Sequence, residues 1–151
     1  MKAVLQRVTH ADVVVDGKLV SEIKNGFLIL LGVENGDTKE HADVLSKKIS
    51  GMRVFEDENG KMNLSLIDTN GSVLVISQFT LLADCRKGRR PSFVNAGAPD
   101  MANELYEYFC ERIKCDGIEN VKKGIFGADM KVSLLNDGPV TILLDSKELI
   151  K

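Results

Sequence analysis

The sequence predicts an α/β domain in which a mixed, mainly antiparallel β-sheet system carries two amphipathic helices packed on one side, a three-layer α/β/β arrangement. Three observations predict it. Strand-like runs alternate with turn dipeptides over residues 2–34; two segments, about 38–51 and from Pro99 onward, repeat apolar residues at helical spacing; and further strand-like runs lie between and after them. The order strands, helix, strands, helix, strands is that of helices and sheet sharing a core. At 151 residues the chain has the size of one domain, so residues 1–151 are expected to form a single unit without a linker.

The elements follow in order. KAVLQRVTHADVVV, KLVSEI and FLILLGV are separated by Asp16-Gly17 and Asn25-Gly26, both strong hairpin dipeptides, so the chain is expected to open as an antiparallel meander. FLILLGV is apolar on both faces, as a central strand covered on each side would be. Asp37 with Glu40 resembles a capping box, and Ala42, Leu45, Ile49 and Met52 then recur at helical spacing with Gly51 near the end. Asn59-Gly60 suggests another hairpin. The second helix begins with Pro99 in its first turn and has Ala102, Leu105, Tyr106, Phe109 and Ile113 on one face. MKVSLL and VTILLD, separated by NDGP, are expected as the last two strands.

Composition excludes several classes. With 44% hydrophobic and 28% charged residues and no tryptophan, the chain reads as an ordinary soluble domain rather than a disordered one. Its longest apolar run, Phe27 to Leu31, is far short of the ~20 residues of a membrane helix, and MKAVLQRV lacks the apolar region of a signal peptide. A cytoplasmic protein with no membrane association is expected. Cys85, Cys110 and Cys115 form neither CxxC nor zinc spacing, so they are expected to be reduced and mostly structural, with no metal. A net charge of −2 provides no global field for nucleic acid, yet Arg86, Lys87, Arg89 and Arg90 cluster in RKGRRPSF. That cluster is either a solvated basic loop or a local phosphate site.

Two segments carry the candidate chemistry. In VLVISQFTLLAD, residues 73–84, strand alternation would set Gln78 and Thr80 side by side on a face otherwise made of Leu74, Ile76 and Leu82. An unpartnered buried amide or hydroxyl costs roughly 1–3 kcal/mol, so these groups either pair with each other structurally or mark a strand that emerges at a pocket. In SLLNDGPVTILL, Asn136, Asp137 and Gly138 mark a tight turn, and Pro139 lacks an N–H, so the junction is expected to leave the sheet ladder. No conventional catalytic set accompanies them. Histidine occurs only at His10, a residual candidate for general base, and at His41, and neither stands in a known motif; GxSxG, GxxxxGK[ST] and GxGxxG are all absent. Chemistry here would rest on backbone groups, hydroxyls or the substrate itself.

Together, SQFTLLA at 77–83 and NDGPVT at 136–141 resemble the two signature motifs of the D-aminoacyl-tRNA deacylases. LQRV near the N-terminus, KGRRPSF, and FGADMKV at 126–132 are similar to that family's equivalents as well, and a sister group with relaxed chirality departs from SQFTL. The resemblance implies a homodimeric, cofactor-free hydrolase, with its active site at the subunit interface, that cleaves the ester between a D-amino acid and the 3′-terminal adenosine of tRNA. It implies that a cis Gly138–Pro139 enters the partner subunit's site and turns its carbonyl oxygens on the α-carbon, excluding an L side chain while letting glycine through. It further implies that the backbone N–H groups of Phe79 and Thr80 lie beside the ester, with Ser77, Gln78 and the Thr80 hydroxyl around them. Arg7 would brace the Gly138–Pro139 turn, unless its head is simply exposed. Phe126, Gly127 and Met130 would line the adenosine or aminoacyl pocket, unless they are core. Arg86, Lys87, Arg89 and Arg90 would touch tRNA phosphate. Two competing readings remain: an RNA-binding module without turnover, and a hydrolase using Thr80 as nucleophile.

Overall fold

The computed structural model describes residues 1–151. Its elements are β1 (Lys2–Val15), β2 (Lys18–Ile23), β3 (Gly26–Gly32), α1 (Lys39–Gly51), β4 (Phe55–Glu56), β5 (Met62–Leu64), β6 (Ser72–Ser77), a 3₁₀ turn (Phe79–Leu82), α2 (Pro99–Cys115), β7 (Val121–Lys123), β8 (Lys131–Asp145) and α3 (Ser146–Leu149). The expected class holds: β1 pairs antiparallel with β2, β3 and β8, whereas β3–β6 and β6–β7 are parallel. The Asn59-Gly60 hairpin is present as β4–β5.

The opening is not a three-strand meander. β2 and β3 pair with β1 in one continuing register, Ala11 opposite Ile23 and Val8 opposite Gly26, so they are two parts of one strand that run along the same edge of β1. Asn25-Gly26 is therefore a splice rather than a hairpin turn. The reason is the parallel neighbour: Gly26 has φ +153° and faces Ser72 of β6, and a Cβ there would lie 1.8 Å from the Ser72 carbonyl oxygen. Only glycine admits that approach.

β8 also differs from expectation. The runs MKVSLL and VTILLD belong to one strand that follows β1 throughout, but the ladder breaks between Gln6↔Thr141 and Val8↔Asn136. Arg7 alone faces residues 137–140, which leave the ladder as a bulge, as the missing N–H of Pro139 predicts. β7 was not foreseen. With only three residues, none of them buried, it forms by parallel pairing to β6 rather than by any pattern of its own.

Two apolar clusters define the layers. α1 and α2 pack Leu45, Ile49, Tyr106, Phe109 and Ile113 against Leu5, Phe27, Ile29, Leu31, Val73 and Val75 of the sheet. On the opposite face Leu28, Leu74 and Ile76 meet Val8, Ala11, Val13 and Ile23, with Met130 and Val132 alongside. β1 and β8 are the long strands of one six-stranded sheet, and the Ser21 hydroxyl of β2 donates to the Lys123 carbonyl of β7 at 2.6 Å, linking the first and last strands of its path. Each fully buried Leu, Ile or Phe contributes about 1.5–3 kcal/mol over an exposed one, so these faces decide the register of both helices.

The start of α1 corrects the expected capping pair. Thr38 is the N-cap, and its N–H donates to His41 Nδ1 at 3.0 Å. Asp37 is committed elsewhere: buried, it accepts from the Met1 ammonium at 2.8 Å and from the Glu34 N–H at 2.6 Å. Of the three free cysteines only Cys110 is buried, and burial pushes its thiol up to about 12; Cys85 and Cys115 are exposed.

Candidate active site

The strand that opens the site stops short of where alternation would take it. β6 ends at Ser77; Gln78 turns to φ −146°, ψ 83°, and Phe79–Leu82 wind into the 3₁₀ turn. Leu82 is the residue that the turn buries, wedged near Gly32, and the Gln78 N–H donates to the Leu31 carbonyl at 2.8 Å as the last tie to β3. Gln78 and Thr80 are therefore not strand-face neighbours. They meet across the turn instead, Gln78 Nε2 donating to Thr80 Oγ1 at 2.5 Å in an exposed setting. A 3₁₀ turn bonds each N–H to the carbonyl three residues back, so its first N–H groups, those of Phe79 and Thr80, have no acceptor inside the turn.

The turn forms one wall of a cleft of about 540 Å³. Ser77, Gln78 and Phe79 stand on that wall; Leu31 of β3 and Val33 just past its end, Pro99, Ala102 and Tyr106 of α2, and the loop Phe126–Met130 also line it. Thr80 is not among the lining residues. Phe126, Gly127 and Met130 all are, although Phe126 also packs on the helix-side core, its ring 6.1 Å from that of Tyr106. The lining is mainly apolar, and its one charged side chain is the exposed Asp129, paired with Lys131 at 3.2 Å. His10 lies in a separate depression with Glu22, Lys24, Ser72 and Asn120, which removes it as a base for this cleft.

Tyr106 was read from the sequence only as part of the apolar face of α2. Its hydroxyl donates to the Val75 carbonyl at 2.7 Å, pinning α2 to the strand just before Ser77. Burial, with Cys110 nearby, pushes its ionisation far above the ordinary tyrosine range. A hydroxyl on an otherwise apolar helical face was the available signal, since a buried tyrosine oxygen requires an acceptor.

The bulge of β8 is a second, separate construction. Gly138–Pro139 is cis, and Gly138 has φ +124°. Arg7 is only 5% exposed, which rules out the alternative of a solvated head. Its Nε donates to the Asp137 carbonyl at 3.0 Å and its Nη1 to the Val54 carbonyl at 2.7 Å, so one guanidinium ties the bulge to the segment after α1. Neither Gly138 nor Pro139 lines the cleft. Around the bulge, Leu135 and Leu143 are 63% and 74% exposed, an apolar face on β8 that the sequence did not announce.

The basic loop projects beside the 3₁₀ turn. Asp84 and Ser92 exchange N–H···O bonds of 2.7 and 2.9 Å that close residues 85–91 into a hairpin-like loop. Arg86 folds back on Asp84 at 2.7 Å, which lowers that carboxyl to about 2, while Lys87, Arg89 and Arg90 are exposed and make no ion pair. No group of three or more His, Cys, Asp or Glu side chains is arranged to hold a metal ion.

Comparison with known proteins bears on the chain as a whole. Residues 4–145 match the family model described as D-Tyr-tRNA(Tyr) deacylase. Proteins named D-aminoacyl-tRNA deacylase are similar over nearly the full length: that of Thermosipho africanus is 56% identical, with 99% of each chain covered, and that of Geotalea daltonii 58%, with 97% of each covered. A solved structure titled c-Myc DNA Unwinding Element Binding Protein superimposes with TM-score 0.91 at 43% identity, covering 96% of this chain and 98% of that one. One titled as a probable eukaryotic D-amino acid tRNA deacylase does so with TM-score 0.80 at 18% identity, covering 95% and 98%, a likeness of fold.

Proposed function

The chain belongs to the D-Tyr-tRNA(Tyr) deacylase family, and from that premise we propose how its cleft hydrolyses the ester between a D-amino acid and the 3′-terminal adenosine of tRNA. The observation that carries the reading is the end of β6, where Ser77, Gln78 and Phe79 line an apolar cleft and the turn leaves the N–H groups of Phe79 and Thr80 without internal acceptors. An ester attacked by water gathers negative charge on its carbonyl oxygen. A fixed N–H donor aimed at that oxygen lowers the barrier by about 3–4 kcal/mol. Phe79 and Thr80 supply the donors, and Ser77 and Gln78 shape the wall around them. The cleft has no histidine or cysteine to serve as base or nucleophile, so the activated ester and its vicinal 2′-hydroxyl position the water. Thr80 acts as a prop: its oxygen accepts from Gln78 and no base stands by to activate it. Phe126, Gly127 and Met130 hold the adenosine or aminoacyl group.

Chiral selection is assigned to Gly138 and Pro139 of a second copy. The bulge is held by Arg7 away from its own chain's cleft, on a face with exposed Leu135 and Leu143, and this separation supports a homodimer in which each bulge enters the other subunit's site. Carbonyl oxygens turned on the α-carbon would repel an L side chain, admit D-amino acids broadly, and pass glycine, which has none. Arg86, Lys87, Arg89 and Arg90 contact tRNA phosphate, and the whole chain acts as one domain in the cytoplasm, where tRNA is charged. Incubation with D-tyrosyl-tRNA and L-tyrosyl-tRNA tests the reading: the D-ester is expected to be lost much faster. Equal stability of the D-ester with and without protein would refute it. Thr80→Ala is expected to keep activity within about tenfold, about 1.4 kcal/mol, and an acyl-enzyme trapped on Thr80 would overturn the water mechanism.

A further inference from the structure

We propose that Phe79 and Phe93 form a stacking shelf for the unpaired nucleotides that precede the aminoacylated adenosine, with the loop at residues 85–91 gripping their phosphates; this rests on the deacylase reading. Phe79 and Phe93 are the only exposed aromatic side chains in the protein, at 56% and 38%. Their rings meet edge to face, with centroids 5.1 Å apart at 71°. Phe79 also lines the cleft, so the shelf continues the wall on which the ester would lie.

The shelf is built on fixed backbone. Phe93 directly follows Ser92, whose N–H and carbonyl both bond Asp84. The residues after it are tied to the end of β3: Asn35 donates through its N–H to the Asn95 carbonyl at 2.9 Å and through Nδ2 to the Val94 carbonyl at 2.8 Å, and the Gly97 N–H donates to the Val33 carbonyl at 2.9 Å. Two aromatic rings are thus held in water at the mouth of an apolar cleft by an anchored chain. The same closed loop carries Arg86, Lys87, Arg89 and Arg90 against one acid, Asp84.

A pair of exposed aromatic rings joined in sequence to a cationic loop matches one ligand chemistry, a single-stranded nucleic acid, in which every base has a stacking face and every linkage a negative charge. The charge favours RNA over an apolar protein surface as occupant. An aminoacylated tRNA offers such a strand directly upstream of the ester. Stacking there tolerates any base, so the shelf would add affinity and register without restricting which tRNA is accepted.

The test uses Phe93, which lies outside the cleft lining, in two variants. Phe93→Leu keeps an apolar side chain without a ring face, and Phe93→Tyr keeps the ring. Hydrolysis is followed on D-tyrosyl-tRNA and on 3′-O-(D-tyrosyl)adenosine, which lacks the upstream nucleotides. For Phe93→Leu, KM for D-tyrosyl-tRNA is expected to rise about 5- to 100-fold with kcat unchanged. Phe93→Tyr is expected to stay near wild type, and both variants should treat the adenosine ester as wild type does. Equal losses on both substrates, no loss on either, or a shift in oligomeric state on size exclusion would overturn the shelf. Binding of a fluorescent ACCA tetraribonucleotide separates this inference from the one beneath it. Wild-type protein that hydrolyses neither ester refutes the deacylase reading, whereas equal tetranucleotide affinity of wild type and Phe93→Leu refutes the shelf.

Discussion

Removing the Tyr106 hydroxyl isolates one bond between α2 and the strand that leads into the cleft. Tyr106→Phe keeps the buried ring and deletes only the 2.7 Å bond to the Val75 carbonyl. That carbonyl also accepts from the Gly124 N–H at 3.2 Å, so the deletion strands no acceptor. The loss is therefore that of one ordinary net hydrogen bond, about 1 kcal/mol, or about 2–4 °C in Tm for a chain of this size. The pH dependence sharpens the expectation. Burial raises the Tyr106 ionisation above its ordinary value of 10.0, so above pH 10 the folded state keeps a proton that the unfolded chain has released. Stability from this group is fully present below pH 10 and falls as pH rises, by about 1.4 kcal/mol per unit. The phenylalanine variant does not suffer this fall. Cys110, raised to about 12 by burial, lowers both proteins alike from about its ordinary 9.0 upward. The wild-type advantage of about 1 kcal/mol should thus vanish near pH 11 and reverse beyond it. Urea unfolding at one protein concentration from pH 7 to 11.5, with the slope m checked for constancy, measures the gap. A gap that stays constant or widens with pH would refute the buried-hydroxyl assignment, and a loss above about 3 kcal/mol at pH 7 would show that Gly124 does not hold the carbonyl.

Further expectations concern the other constructions. Gly138→Ala places a Cβ 3.0 Å from Arg7 Nη2 and 3.1 Å from Val140 Cγ2 at φ +124°, so the bulge must shift; preference for D- over L-tyrosyl-tRNA should fall about tenfold or more, about 1.4 kcal/mol, and a uniform loss with unchanged preference would count against its selective role. Arg89→Ala with Arg90→Ala should raise KM for D-aminoacyl-tRNA and flatten its log–log salt dependence by about 2 units; an unchanged salt slope would leave the loop without phosphate contacts. Gly26→Ala forces the start of the β3–β6 ladder apart, since its Cβ would fall 1.8 Å from a backbone oxygen; a loss of about 3 kcal/mol or more is expected by thermal melting, and a near-native Tm would mean that the splice tolerates a side chain.

The apolar faces of α1 and α2, the hairpin at Asn59-Gly60 and the departure of Pro139 from its ladder were legible because each depends on local spacing or on a single residue's missing donor. SQFTLLA and NDGPVT likewise identified the family directly from residue order. Other features depended on neighbours far along the chain. Asn25-Gly26 has hairpin composition, yet the close carbonyl of Ser72 makes it a splice between two parts of one strand. Asp37 looks like a helix cap, but the Met1 ammonium and the Glu34 N–H engage it and leave the cap to Thr38 and His41. Alternation would have carried β6 past Gln78; the burial of Leu82 instead winds the chain into a turn and frees two N–H groups. The sequence by itself determined the fold class and the family, because these follow from short-range pattern. Which groups line the cleft, that Tyr106 anchors the strand behind it, and that Gly138–Pro139 stands outside its own chain's cleft were decided by tertiary packing, since long-range carbonyls and buried surfaces select among backbone paths that local pattern leaves equally open.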